Sequence, residues 1–314
     1  MKEKACWSKI FCLVSAILLS LLTACAPPAE EVTSSPIEIT DQLGRLVKLE
    51  RIPQKIISLA PGNTEITFAL DLADKVVAVT DYCDYPPEAK EKPSIGGFST
   101  PNIEEIVALS PDLILAASIH EAKIIPQLEQ KGITVFALSP QTLDEVLEAV
   151  TLVGEVSGNK NEAAALVTEM QERIKTVTDR TDSMSQQQRP RVFYTVWHDP
   201  LKTAGSGTLQ DELMQKAGGI NIAGNLHDYA DISLEALIEA NPEIMIAGVS
   251  HGSGKSLTMQ FIETEPRLRN TDARRDSRVY EIDGNLTSRP GPRIVDGLEN
   301  LAEFIHPELF GSAR

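Results

Sequence analysis

Apolar positions recur along this chain with two alternating patterns. Short continuous runs such as Lys55-Ile-Ile-Ser-Leu59 are bounded by polar or turn-forming residues. Between these runs, apolar residues return every third or fourth position. The first pattern marks buried strands, the second the inner faces of helices packed on them. Strands are expected at 55–59, 75–80, 112–116, 133–137, 191–197, 243–248 and 278–282. Helices are expected at 63–71, 102–109, 121–131, 142–156, 208–217, 233–240, 258–264 and 292–304. Such alternation argues for parallel α/β layers. Ahead of them, Ile37-Glu-Ile-Thr-Asp41-Gln-Leu-Gly44-Arg-Leu-Val-Lys-Leu49 reads as a hairpin turning at Gly44.

Two stretches look like copies. Ile103-Glu-Glu-Ile-Val-Ala-Leu-Ser-Pro-Asp-Leu-Ile-Leu-Ala116 matches Leu234-Glu-Ala-Leu-Ile-Glu-Ala-Asn-Pro-Glu-Ile-Met-Ile-Ala247. Each reads as a short helix stopped before a proline, followed by a buried strand. Asn102 and Ser233 stand at the N-cap positions, and Asn102 with Glu105 resembles a capping box. Between the copies, residues from Asn161 to about Ser183 are rich in helix formers, with Ala165, Met170, Ile174 and Val177 roughly periodic. This predicts one long helix, ended by the polar stretch Ser185-Gln-Gln-Gln-Arg-Pro190. The organisation expected is an N-terminal lobe at 37–157, a linking helix at 158–188 and a C-terminal lobe at 189–314. At 314 residues, more than one compact lobe is natural.

The N-terminus adds an address. Lys2, Lys4 and Lys9 precede an apolar run from Ile10 to Leu22, which is too short for a comfortable membrane span and suits a signal peptide. The run ends in Leu22-Thr23-Ala24-Cys25, which resembles the bacterial lipobox. That resemblance implies cleavage after residue 24 and a diacylated Cys25, a stable anchor on the extracytoplasmic face of a membrane. Residues 25–36 then form a small, polar, Pro-containing tether. With Cys6 and Cys12 in the signal and Cys25 lipidated, only Cys83 remains, so no intrachain disulfide is available. The formal charge is −16, and the signal removes three lysines but one glutamate. So acidic a chain argues against nucleic acid as a partner.

Catalytic patterns are missing from the sequence. Gly252-Ser-Gly-Lys-Ser256 lacks the leading glycine of a Walker loop, since that position is Val249. No Gly-x-Ser-x-Gly elbow occurs. The histidines at 120, 198, 227, 251 and 306 have no metal-ligating spacing, so neither a metal nor a cofactor is expected.

Three stretches then carry a resemblance. They are Ile57-Ser-Leu-Ala-Pro-Gly-Asn-Thr-Glu65, Asn102-Ile-Glu-Glu-Ile-Val-Ala-Leu-Ser-Pro-Asp-Leu-Ile114, and Pro292-Arg293-Ile-Val-Asp-Gly-Leu-Glu-Asn-Leu301. Together with the lipobox and the linking helix, they resemble the ABC-importer binding proteins that handle vitamin B12, ferric siderophores and haem. Asp81-Tyr-Cys-Asp-Tyr-Pro-Pro87 is most similar to the cobalamin-binding branch. The resemblance implies two Rossmann-like α/β lobes around a cleft. It also implies a non-enzymatic monomer that captures a corrinoid and delivers it to the membrane subunits of an importer.

The matched motifs put Gly62, Tyr82, Phe98, Trp197, Tyr229 and Arg289 at ligand-contacting positions, Trp197 foremost. Glu104 and Glu235, one per copy, fall where members of the family dock onto the importer. Acids at helix starts are also favoured by the helix dipole alone. Departures are visible. Phe98 and Tyr229 stand where tryptophans are expected, Ala117-Ser118 at an aromatic position, and Asn285 and Ser288 at acidic ones. A ferric siderophore or haem is the alternative ligand. An anionic siderophore would favour converging cations, of which only Arg289, Lys202 and Lys255 are candidates. A secreted α/β hydrolase would need a nucleophile–base pair that the sequence does not display.

Overall fold

The computed structural model describes residues 36–249 and 256–311. The signal, Cys25, the tether up to Ser35, His251 and Lys255 lie outside the described residues. No described helix is long and apolar enough to cross a membrane.

The hairpin forms as its pattern requires. β1 (Ile37–Thr40) and β2 (Leu46–Leu49) pair antiparallel, with Gly44 at a φ of +77° in the turn. The Asp41 carboxylate accepts from the Leu43 and Arg45 amides within the turn and from the Ala137 amide beyond it. The turn is thereby pinned to the first sheet.

That sheet and its helices follow in chain order as β3 (Ile56–Ser58), α1 (Pro61–Ala69), β4 (Val76–Val79), α2 (Ile103–Leu109), β5 (Leu113–Ala117), α3 (Ile124–Glu129), β6 (Val135–Leu138) and α4 (Leu143–Ser157). The strand order is β4-β3-β5-β6, parallel throughout. Next comes the long helix α5 (Lys160–Thr181). The second lobe contains β7 (Arg191–His198), β8 (Leu201–Ala204), α6 (Leu209–Lys216), β9 (Ile220–Asn221), β10 (Tyr229–Asp231), α7 (Leu234–Ala240), β11 (Ile244–Val249), α8 (Leu257–Thr264), β12 (Val279–Asp283), α9 (Gly284–Ser288) and α10 (Ile294–Ile305). Its sheet runs β10-β8-β7-β11-β12, with β9 also on β7.

Here the expectation of parallel layers is corrected in part. β8 runs antiparallel to β7, and β10 antiparallel to β8. Asp199 and Pro200 alone join β7 to β8, and so short a link can only return the chain beside its own strand. Neither strand has an apolar signature: they read Leu-Lys-Thr-Ala and Tyr-Ala-Asp.

Both faces of each sheet are covered. Ile56, Val192, Tyr194, Ile244 and Ile246 point into one continuous core. Their strand neighbours point outward: Ile57 packs under the outer helices of the first lobe, and Phe193, Met245 and Ala247 under those of the second. The continuous core runs through α4 and α5, where Met170 and Val177 are buried. α5 packs closely on α4: a Cβ at Gly154 would lie 2.3 Å from the Ala163 Cβ. Arg173 ties α5 to α10 through Asp296 at 2.5 Å and Glu299 at 2.5 Å.

The copied stretches occupy matching places. Asn102 and Ser233 cap α2 and α7 with their side chains, and Ser110 and Asn241 end these helices in the left-handed region at φ of 49° and 42°. Asp112 takes the amides of Gln54 and Lys55 at the start of β3. Glu243 takes the Arg191 amide at the start of β7. β5 then pairs with β3, and β11 with β7, both parallel.

Candidate functional site

The strands of the first sheet end at a cavity of about 580 Å³ between the lobes. An open α/β sheet places its ligand at the carboxyl ends of its strands because helix starts and loop amides converge there. After β3, Ala60 to Asn63 line it; after β5, Ala117 and Ser118; after β6, Leu138 to Gln141. The second lobe contributes Gly207 to Leu209 at the start of α6, Asp228 and Tyr229 at β10, and Asn285 and Ser288 to Pro290 around α9.

Of the six expected ligand contacts, five line this cavity: Gly62, Tyr82, Phe98, Tyr229 and Arg289. Trp197 does not. It ends β7 at 46% exposure, donates its indole N–H to the Asp199 carbonyl at 2.7 Å, and has its ring 5.0 Å from that of His198. Lys202 also lies apart from the lining, paired with Asp231 across β8 and β10 at 2.7 Å.

The walls have definite supports. Tyr82 and Tyr229 are 53% and 50% exposed, so their ring faces are available. The Tyr229 hydroxyl donates to buried Gln210 at 3.1 Å. Burial, reinforced by Asp228, pushes this phenol above its ordinary value. Phe98 meets the His120 ring edge-on at 5.4 Å. His120 is buried behind the wall: its Nδ1 accepts from the Ala117 amide at 2.9 Å, and its Nε2 donates to the Phe98 carbonyl at 2.7 Å. Those partners assign the neutral tautomer, and burial lowers the imidazole pKa accordingly.

The floor joins the lobes. α1 begins at Pro61, whose missing N–H suits the first helical turn, and Ala60 provides no side-chain cap. Gly62 lies so close to the 289–293 segment that a Cβ there would sit 2.6 Å from the Pro290 carbonyl oxygen. Arg289 is almost fully buried. Its Nη1 lies 2.5 Å from the Asp84 carboxylate and 3.6 Å from that of Glu65. Glu65 also receives Arg293 through Nε at 3.0 Å and Nη2 at 2.6 Å. Burial pushes the Glu65 carboxyl upward, opposed by the two guanidiniums. Glu65 and Arg293 stand within stretches that carried the family resemblance, yet the sequence reading gave neither a role. A charged side chain beside a Pro-Gly turn was the available signal.

Glu104 and Glu235 are exposed in the first turns of α2 and α7, one per lobe. Glu235 has a neighbour, Arg267, at 3.4 Å. Among the described residues, no cluster of three or more His, Cys, Asp or Glu is placed to hold a metal ion. Cys83 is a buried free thiol among the Thr64 and Thr80 hydroxyls.

Known proteins share this architecture. The chain is 32% identical, over 99% of both lengths, to the uncharacterized ABC transporter substrate-binding lipoprotein YvrC of Bacillus subtilis. The crystal structure of the vitamin B12-binding protein BtuF of Vibrio cholerae superposes with a TM-score of 0.70 at 28% identity, covering 81% of this chain and 97% of that one. The haem-binding protein RhuT of Roseiflexus superposes with a TM-score of 0.72 at 25% identity, covering 82% and 99%. The periplasmic binding protein family matches residues 56–286, through both lobes and the helix between them, and the chain belongs to that family of non-enzymatic transport components.

Proposed function

We propose that this protein is an extracytoplasmic lipoprotein, anchored through Cys25, that captures cobalamin or a related corrinoid and delivers it to an ABC importer. The observation that carries the ligand class is the charge state of the cavity. Arg289 is the only cation among its described lining residues, and it is already engaged by Asp84 and Glu65. The rest of the lining is aromatic, aliphatic, hydroxyl, amide and backbone, apart from Asp228. A corrinoid is broad, flattish and rimmed by neutral amides. Ring faces and neutral hydrogen-bonding groups suit it, whereas an anionic ligand calls for uncommitted cations. The likeness to BtuF supports the same reading.

Haem or a ferric siderophore is the competing reading, favoured by the likeness to RhuT. Against it, an anionic cargo finds no uncommitted cation among the described lining residues. For delivery, Glu104 and Glu235 offer one exposed carboxylate per lobe to arginines of the importer's membrane subunits.

The test is a titration of the soluble protein from residue 26 with cyanocobalamin, haemin and a ferric siderophore, read by calorimetry. Saturable cyanocobalamin binding at micromolar concentration or tighter, with the other two weaker, is expected. Binding of haemin or the siderophore without any corrinoid binding would reject the ligand assignment and leave the transport role standing.

A further inference from the structure

Two arginines of the second lobe meet two carboxylates of the first beneath the cavity. Glu65, on α1, is 3% exposed, and both guanidiniums reach it. Asp84 closes on Arg289 from the loop after β4. Arg293 is further held with its guanidinium 3.6 Å from the centre of the Tyr85 ring. The spacing is enforced by packing: a Cβ at Gly291 would lie 3.3 Å from both the Glu65 Cβ and one of its carboxylate oxygens. Only Arg289 of this group faces the cavity.

We propose that Glu65, with Asp84, is a specificity-determining residue that cancels Arg289 and Arg293, so the cleft favours neutral ligands over anionic ones. This deepens the neutral-ligand reading above and rests on it. A guanidinium stripped of its carboxylate inside a protein is strongly unfavourable, because its lost hydration is no longer compensated. An anion entering the cavity would then restore the missing charge. The positive charge needed for an anionic cargo is therefore already built into the floor, and the carboxylates mask it. A purely structural clamp would behave differently: its loss would lower stability and weaken neutral and anionic ligands alike.

The test compares haemin, which carries two propionates, with its neutral dimethyl ester, for the wild type, Glu65→Gln and Asp84→Asn. Melting curves establish which variants are folded. Asp84 is partly exposed on a loop, so its variant keeps the test decisive if Glu65→Gln does not fold. Each folded variant is expected to shift the diacid-to-diester affinity ratio toward the diacid by about tenfold, an effect that shrinks in high salt. An unchanged ratio in the folded variants, or no binding of the diacid by them, overturns the proposal. Cyanocobalamin, titrated in parallel against the wild type, reports separately on the corrinoid reading: its failure there would leave the haemin ratio interpretable.

Discussion

The hydrogen that serves as the side chain of Gly62 lets α1 and the 289–293 segment touch. A methyl group would sit 2.6 Å from the Pro290 carbonyl oxygen, with backbone on both sides, so neither neighbour can rotate away. Gly62→Ala should therefore shift the two lobes apart at the cavity floor. Overpacking of this kind costs about 1–3 kcal/mol, visible in denaturant titration, and ligand affinity should fall about tenfold with it. The aromatic residues divide differently. Tyr82 offers an exposed ring to the cavity, whereas Trp197 stands outside its lining. Tyr82→Ala should weaken the ligand by about 1 kcal/mol, roughly fivefold, and Trp197→Ala by less, with calorimetry deciding the order. Sequence patterning put Trp197 at a strand end, where binding residues gather. It could not show that the chain reverses at once into β8 and keeps the indole N–H on Asp199.

His120 adds a pH signature at the same scale. Its folded-state pKa is depressed by burial, so the unfolded chain takes up the extra proton on acidification. The stability it preserves is complete above the unfolded value of about 6.5 and is lost as pH falls through the folded value. Melting temperature should decline as pH falls below about 6.5, and His120→Asn should flatten that slope. An equal slope in the variant would assign the decline to other groups.

The element scale is where the chain was most legible. The helix–proline–strand copies fixed α2, β5, α7 and β11 within a residue or two, because proline stops and buried apolar runs are local signals. Yet the copies differ where the helices turn. Ser110 and Asn241 both hold left-handed backbone, but only Asn241 compensates with side-chain bonds, giving one to Asp272 at 2.9 Å and accepting the Asp272 amide at 2.9 Å. Glycine relieves the backbone cost at either site but cannot replace those bonds. Ser110→Gly should be neutral or stabilising by up to about 1 kcal/mol, and Asn241→Gly destabilising by about 1–2 kcal/mol. Chemical denaturation of the two variants gives the comparison directly. What stayed hidden at this scale were β8, β9 and β10, whose two to four residues carry too few apolar positions to show a period.

At the scale of the whole molecule, no window of sequence contains the cavity. Its walls come from segments as distant as Gly62 and Arg289, and the ion pairs that close its floor join residues more than 200 positions apart. The same distant contacts bear on delivery. A core continuous through α4 and α5, the Arg173 pairs to α10 and the floor cluster all oppose relative movement of the lobes. Glu104 and Glu235 are therefore held at a set separation, as the proposed two-point landing on a membrane subunit would require. Each is exposed, so it can be lost without disturbing the fold. In the proposed docking Glu235 would leave Arg267, and because both partners are well exposed that pair is weak and readily exchanged for an arginine of the importer. In proteoliposomes carrying the importer, Glu104→Ala or Glu235→Ala alone should reduce transport, and the double variant should reduce it further, with ligand affinity in solution unchanged. Arg267→Ala, which frees Glu235, should leave transport at or above the wild-type rate. Loss of transport in Arg267→Ala, or normal transport in the double variant, would move the docking surface elsewhere on the lobes.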